Sequence, residues 1–133
     1  MSNNMSNIIE CIKALPGMMS LKGAEESDIK VAANQLGIEF AQEFVEYAKA
    51  FGAISANGIE LLGITPHKRL SVVHNTLTFR EKYSDFPKDK YVVEDTGDEG
   101  VLILQDSTGK IYSYMHNTHI NFIAESLSSY IEK

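Results

Sequence analysis

Glu94, Asp95, Asp98 and Glu99 crowd four carboxylates into six positions, and Asp95-Thr96-Gly97 within them is the tripeptide on which aspartic proteases are built. That chemistry needs two aspartates sharing one proton, so a chain with one triplet would act only as a dimer. Glu94 before the triplet and Asp98 after it add charges where a shared-proton pair needs apolar and small neighbours. Asp, Thr and Gly are also turn formers, which is the plainer reading. The same carboxylates offer oxygens to a hard cation such as calcium. The D-x-[DN]-x-[DN]-G spacing of a calcium loop and its distant bidentate glutamate are absent. A solvated turn or a protein-binding edge is then the expected role.

His67, His74, His116 and His119 are the other candidates for metal or acid–base work. They are scattered, and neither His116 nor His119 has a carboxylate or cysteine beside it in sequence, so no zinc pattern emerges. Cys11 has no neighbouring histidine or basic pair and reads as an inert thiol. The chain holds no GxxxxGK[ST], GxGxxG or GxSxG. No catalytic residue, cofactor site or metal site is assigned.

The charge is uneven. From Asp85 to Asp106 there are seven acids (Asp85, Asp89, Glu94, Asp95, Asp98, Glu99, Asp106) and two bases (Lys88, Lys90), a balance of −5 in a chain of net −6. Residues 68–82 are the basic segment, with Lys68, Arg69, Arg80 and Lys82 against Glu81. A net negative charge disfavours nonspecific binding to nucleic acid or anionic lipid and permits binding to a basic protein. With 133 residues, 44% of them hydrophobic and 23% charged, the chain matches one soluble globular domain spanning 1–133, able to bury about two thirds of its unfolded surface. There is no run of 18 apolar residues and no basic-then-apolar leader, and the cysteine is single. A cytoplasmic protein is expected.

These residues must be held by secondary structure. Residues 91–115 read as three strands joined by polar turns at 95–100 and 106–109, a β-meander. Tyr112 and Tyr114 fall on one face of its last strand, Ile111, Ser113 and Met115 on the other. Outward tyrosines would be interface anchors, inward ones would lie under the final helix, and both readings stand. Upstream, residues 1–6 are expected to be disordered. Residues 7–15 place Ile8, Ile12 and Leu15 at helical spacing. Residues 25–36 form a helix with Glu25, Glu26 and Asp28 in its first turn and Gly37 closing it. Residues 41–51 form another, ended by Gly52. A strand is expected around 58–63, then a helix over 70–82 with Leu70, Val73 and Leu77 inward, and a closing helix over 121–132 capped by Asn121. Helices followed by strands predict an α+β fold: an N-terminal helical hairpin packed on an antiparallel sheet or meander, with a C-terminal helix.

Gly23–Gly52, with Leu36-Gly37-Ile38, Phe40, Phe44, Tyr47 and Phe51-Gly52, resembles the opening helical hairpin of the SUKH superfamily, which takes in fungal cell-wall-assembly-regulator domains and many bacterial toxin-immunity proteins. Gly58–Ile64 is similar to its first strand, Gly100–Tyr114 to its central hairpin and Ile120–Ile131 to its last helix. The resemblance implies an α+β domain without catalytic activity or cofactor that neutralises a cognate polymorphic toxin, often a nuclease, by binding it. Its partner is then a basic protein, with neither nucleic acid nor membrane bound, and the chain a monomer or weak homodimer. Glu94, Asp95, Asp98, Glu99, Tyr112 and Tyr114 are the expected contacts. A regulatory or scaffold domain for another protein is the alternative, and a small metal-dependent or aspartic-type enzyme the remote one.

Overall fold

A computed structural model describes residues 7–98 and 100–132. The expectation for residues 1–6 lies outside them, as does Glu99. The fold is α+β, in the order α1 (Asn7–Lys13), β1 (Met19–Lys22), α2 (Glu26–Leu36), α3 (Gln42–Ala50), β2 (Phe51–Ala56), β3 (Ile59–Leu61), α4 (Val72–Lys82), β4 (Lys90–Asp95), β5 (Leu102–Asp106), β6 (Ile111–Tyr114), β7 (Asn121–Ala124) and α5 (Leu127–Glu132). The strands form two antiparallel sheets, β1-β2-β3 and β4-β5-β6-β7.

The N-terminal helices follow the sequence reading. Ile8 and Ile12 of α1 are buried, and α2 buries Ile29, Ala32 and Leu36. α2 ends at Gly37 in the left-handed region, with the Ile38 amide returning to the carbonyl of Ala33. The hairpin reaches the meander through the segment that enters and forms α3. Phe40 and Phe44 lie on the Tyr91 ring at 4.9 and 5.2 Å between centroids. The Tyr91 hydroxyl donates to Gln105 Oε1 and accepts from the amide of Ala41 at the α3 start. Tyr47 donates to the carbonyls of Leu61 and Leu62, tying α3 to the three-stranded sheet.

The sequence reading has no strand at β1, and four further elements differ from it. Gly52 does not cap α3. The helix stops at Ala50, Phe51 takes an extended conformation, and Gly52 lies inside β2. A methyl group on Gly63 would sit 2.0 Å from the Gly52 carbonyl oxygen, so two backbones meet there with no room for a side chain. The single strand around 58–63 is a hairpin, β2–β3, turning at Asn57 (φ 50°) and Gly58 (φ 85°). That is the left-handed pair a type I′ turn requires. α4 starts at Val72 behind a 3-10 turn over Lys68–Leu70, with Ser71 capping the His74 amide. It buries Val72 and Thr76 and leaves Leu77 42% exposed, so the expected inward stripe is rotated. The closing helix is shorter than expected. Asn121 begins strand β7, and Ser126 Oγ accepts from the Ser129 amide ahead of the true helix.

The outer edge of β4 is covered. Val92 pairs with Leu104 but Glu94 pairs with Ile103, so Val93 is an extra residue in a β-bulge. The Val93 carbonyl accepts from the Leu62 amide at 2.8 Å, and the Val92 amide donates to Thr76 Oγ1 at 3.0 Å. The end of β3 and the side of α4 thus satisfy backbone groups that an edge strand otherwise leaves open.

Candidate interaction surface

The turn between β4 and β5 is built by its own polar groups. Asp95 Oδ1 accepts from the Gly97 amide, Thr96 Oγ1 accepts from the Asp98 amide and donates to the Val101 carbonyl, and the Val101 amide returns to the Asp98 carbonyl. Asp95-Thr96-Gly97 is therefore a closed turn. Asp95 and Asp98 are exposed. Among the described residues neither has a salt-bridge partner.

The neighbouring Glu94 is directed differently. Strict alternation from Tyr91 would place it on the face of Val92. The bulge at Val93 re-aims it to the face of Tyr91, where it is only 5% exposed. Its Oε2 accepts from the Glu60 amide at 3.0 Å and its Oε1 from the Tyr130 hydroxyl at 2.5 Å. Glu94 therefore joins β3, β4 and α5 inside the protein.

The two tyrosines share a face, as their pairing with Leu104 and Leu102 requires, and have different surroundings. Tyr114 is buried under Phe86 and Tyr83, which lie between α4 and β4, rather than under the final helix. Its hydroxyl donates to Asp85 Oδ1. The same carboxylate also receives His116 Nδ1 at 2.9 Å and the Asn117 amide at 2.9 Å. These bonds, the Tyr114 one foremost, hold the Asp85 carboxyl well below the usual carboxylate range. Burial and the Asp85 bond push the Tyr114 phenol up. Tyr112 is half-buried toward the opposite end of β6. It donates to Asp106 Oδ2, lies under Lys90 Nζ and meets the half-exposed Phe122 edge-on at 6.0 Å.

Of the six expected contacts, Asp95 and Asp98 sit together outside, Tyr112 is part-exposed elsewhere on the sheet, Glu94 and Tyr114 are inside, and Glu99 is not described. The acidic window is thus no continuous face. Asp85 and Asp106 are bonded into turns, and Asp89 lies against Lys90. The basic segment is divided too: Arg69 forms a two-pronged pair with Glu60, and Arg80 donates to the Lys88 carbonyl.

The Asp85–His116 pair was invisible in sequence, because 31 positions separate its members. Tyr83 stacks on the His116 ring at 4.4 Å. Cys11 donates to Glu132 Oε2, and burial first, then this carboxylate, push its thiol up to about 11. A thiol so placed is a poor nucleophile at neutral pH. Among the described residues no group of three or more His, Cys, Asp or Glu side chains could hold a metal ion, and no helix is long and apolar enough to cross a membrane.

Among the described residues, two antiparallel sheets and five α-helices define an α+β domain with exposed carboxylates on the β4–β5 turn. The chain belongs to the SUKH_5 family, described as SMI1-KNR4 cell-wall, whose model matches residues 5–133. Membership is consistent with a protein-interaction or toxin-immunity domain. No curated protein matches the chain.

Proposed function

We propose that this protein is a non-catalytic, cytoplasmic immunity protein that neutralises a cognate toxin by direct binding. The family match across residues 5–133 is the observation that carries the reading. The exposed pair Asp95 and Asp98 supports a basic partner, such as a nuclease whose face is made to meet phosphate. Unpaired carboxylates on a firm turn steer a basic surface during encounter and add more to association rate and specificity than to affinity. Tyr112, beside Phe122, is the aromatic group offered for contact. A second reading, a regulatory domain that binds another cellular protein, is favoured by the cell-wall description of the family.

The test is co-expression with candidate toxins, scored by survival of the host and by co-purification. Asp95→Asn/Asp98→Asn should slow association and flatten its salt dependence, since exposed charges are screened over about 8 Å at physiological ionic strength. The matched Glu39→Gln/Glu81→Gln variant should not. Equal binding and protection by both variants would remove the turn from the interface. Failure of any toxin to co-purify or be neutralised would remove the immunity reading.

A further inference from the structure

A cleft of about 950 Å³ opens between α2 on one side and residues 64–77 on the other, with the end of β1 at its base. Its volume falls within the range of ligand-binding cavities, about 300–1,000 Å³. Its lining carries charges of both signs. From α2 and its cap come Asp28 and Glu25, both exposed. From the facing wall come Lys68 and the imidazoles of His67 and His74, and Lys22 stands at the end of β1. Leu21 at the base and Val73 and Leu77 on the facing wall add apolar surface. Among the described residues no ion pair bridges the two walls. Both signs of charge therefore remain available to a guest beside this apolar surface.

We propose that this cleft is a peptide groove. It takes an extended segment of a partner protein in which an apolar side chain sits between a basic residue, directed to Glu25 and Asp28, and an acidic residue, directed to Lys68 or Lys22. A polyanion would meet the α2 carboxylates and a polycation would meet Lys68, so a guest of single sign is disfavoured at one wall or the other. The apolar side chain supplies the anchor and the charges fix direction. The proposal rests on the reading of this chain as a protein-binding domain, and it uses elements other than the Asp95–Asp98 turn.

The experiment titrates ¹⁵N-labelled protein with pooled acetylated heptapeptides that carry a central leucine, with lysine two residues to one side and glutamate two residues to the other, in both orders. Matched pools carry two lysines or two glutamates. Mixed-charge pools should give saturable shifts at the amides of Ala32, Lys68, Val73 and Leu77, and Leu77→Glu should weaken binding by about tenfold while leaving the remaining spectrum in place. Absence of saturable shifts, shifts elsewhere, or equal binding of single-sign pools would overturn the groove. Co-purification of a toxin with wild-type protein separates the two ideas. If the toxin is retained while the peptides fail, the groove is wrong and protein binding stands. If peptides bind the groove and no toxin is retained, the groove stands and the immunity reading falls.

Discussion

Glu43 Oε1 lies 2.7 Å from the backbone nitrogen of Leu127, so a side chain of α3 caps a helix that begins 84 residues later. Its Oε2 accepts from the Ser128 amide at 3.0 Å, and Oε1 also receives Gln105 Nε2 at 3.2 Å. One carboxylate thereby fastens α5 and β5 to α3. Charge-assisted bonds to the open amides of a helix start are the stronger kind. Glu43→Ala should cost about 1.5–3 kcal/mol in urea unfolding, Glu43→Gln less, and Glu46→Ala on the same helix under about 0.5 kcal/mol. A loss at Glu46 equal to that at Glu43 would count against the capping role.

Thr76 gives a second stability test. Its hydroxyl oxygen is the acceptor for the Val92 amide at a fully buried position. Thr76→Val keeps the shape and strands a donor, which should cost about 1–3 kcal/mol. Thr76→Ser keeps the acceptor and should lose only the methyl contribution, about 1 kcal/mol. Chemical denaturation of the two variants side by side decides it, and a valine variant as stable as the serine one would refute the account.

The pH dependence follows from Asp85. Its folded-state carboxyl is held below the ordinary value by Tyr114, His116 and the Asn117 amide. A group with a depressed folded pKa contributes stability that is present above the unfolded value, near 4, and is lost as pH falls below it. Melting temperature should therefore drop on the acid side of about pH 4, and Asp85→Asn should flatten that limb while lowering stability near neutrality. An unchanged acid limb in Asp85→Asn would rule Asp85 out as its source.

Asp95→Asn should leave the fold within about 0.5 kcal/mol of wild type, since the side-chain oxygen that receives the Gly97 amide survives the change. Pepstatin-sensitive cleavage of a peptide library by the wild-type protein would contradict the turn reading of the triplet.

The meander, α1 and α2 were legible because each is specified locally: apolar or aromatic runs between turn formers, helical spacing, and a terminal glycine. β1 was not, since Met19–Lys22 shows no alternation and pairs with residues 29 to 36 positions away. The β2–β3 hairpin had a readable signal, Asn57-Gly58 between apolar runs, which points to two strands instead of one. For β7, helical spacing of Ile123, Leu127 and Ile131 outweighed the strand-forming pair Phe122-Ile123, while Ser126 was as good a cap as Asn121. The inward course of Glu94 could not be read at all. It depends on one extra residue, Val93, whose bulge is stabilised by Leu62 from another sheet. Binary patterning places a side chain on a face only while the register holds.

Coverage at β4 gives the four-stranded sheet a direction of growth. Leu62, Thr76 and the Val93 bulge occupy one margin, so no further strand can dock there without displacing them. At the other margin, among the described residues, no backbone hydrogen bond reaches Asn121–Ala124 except from β6. Aggregation by extension of this sheet must therefore start from β7. A lysine at the half-exposed Phe122 should delay such aggregation, whereas a lysine at Val92 on β4 would be buried.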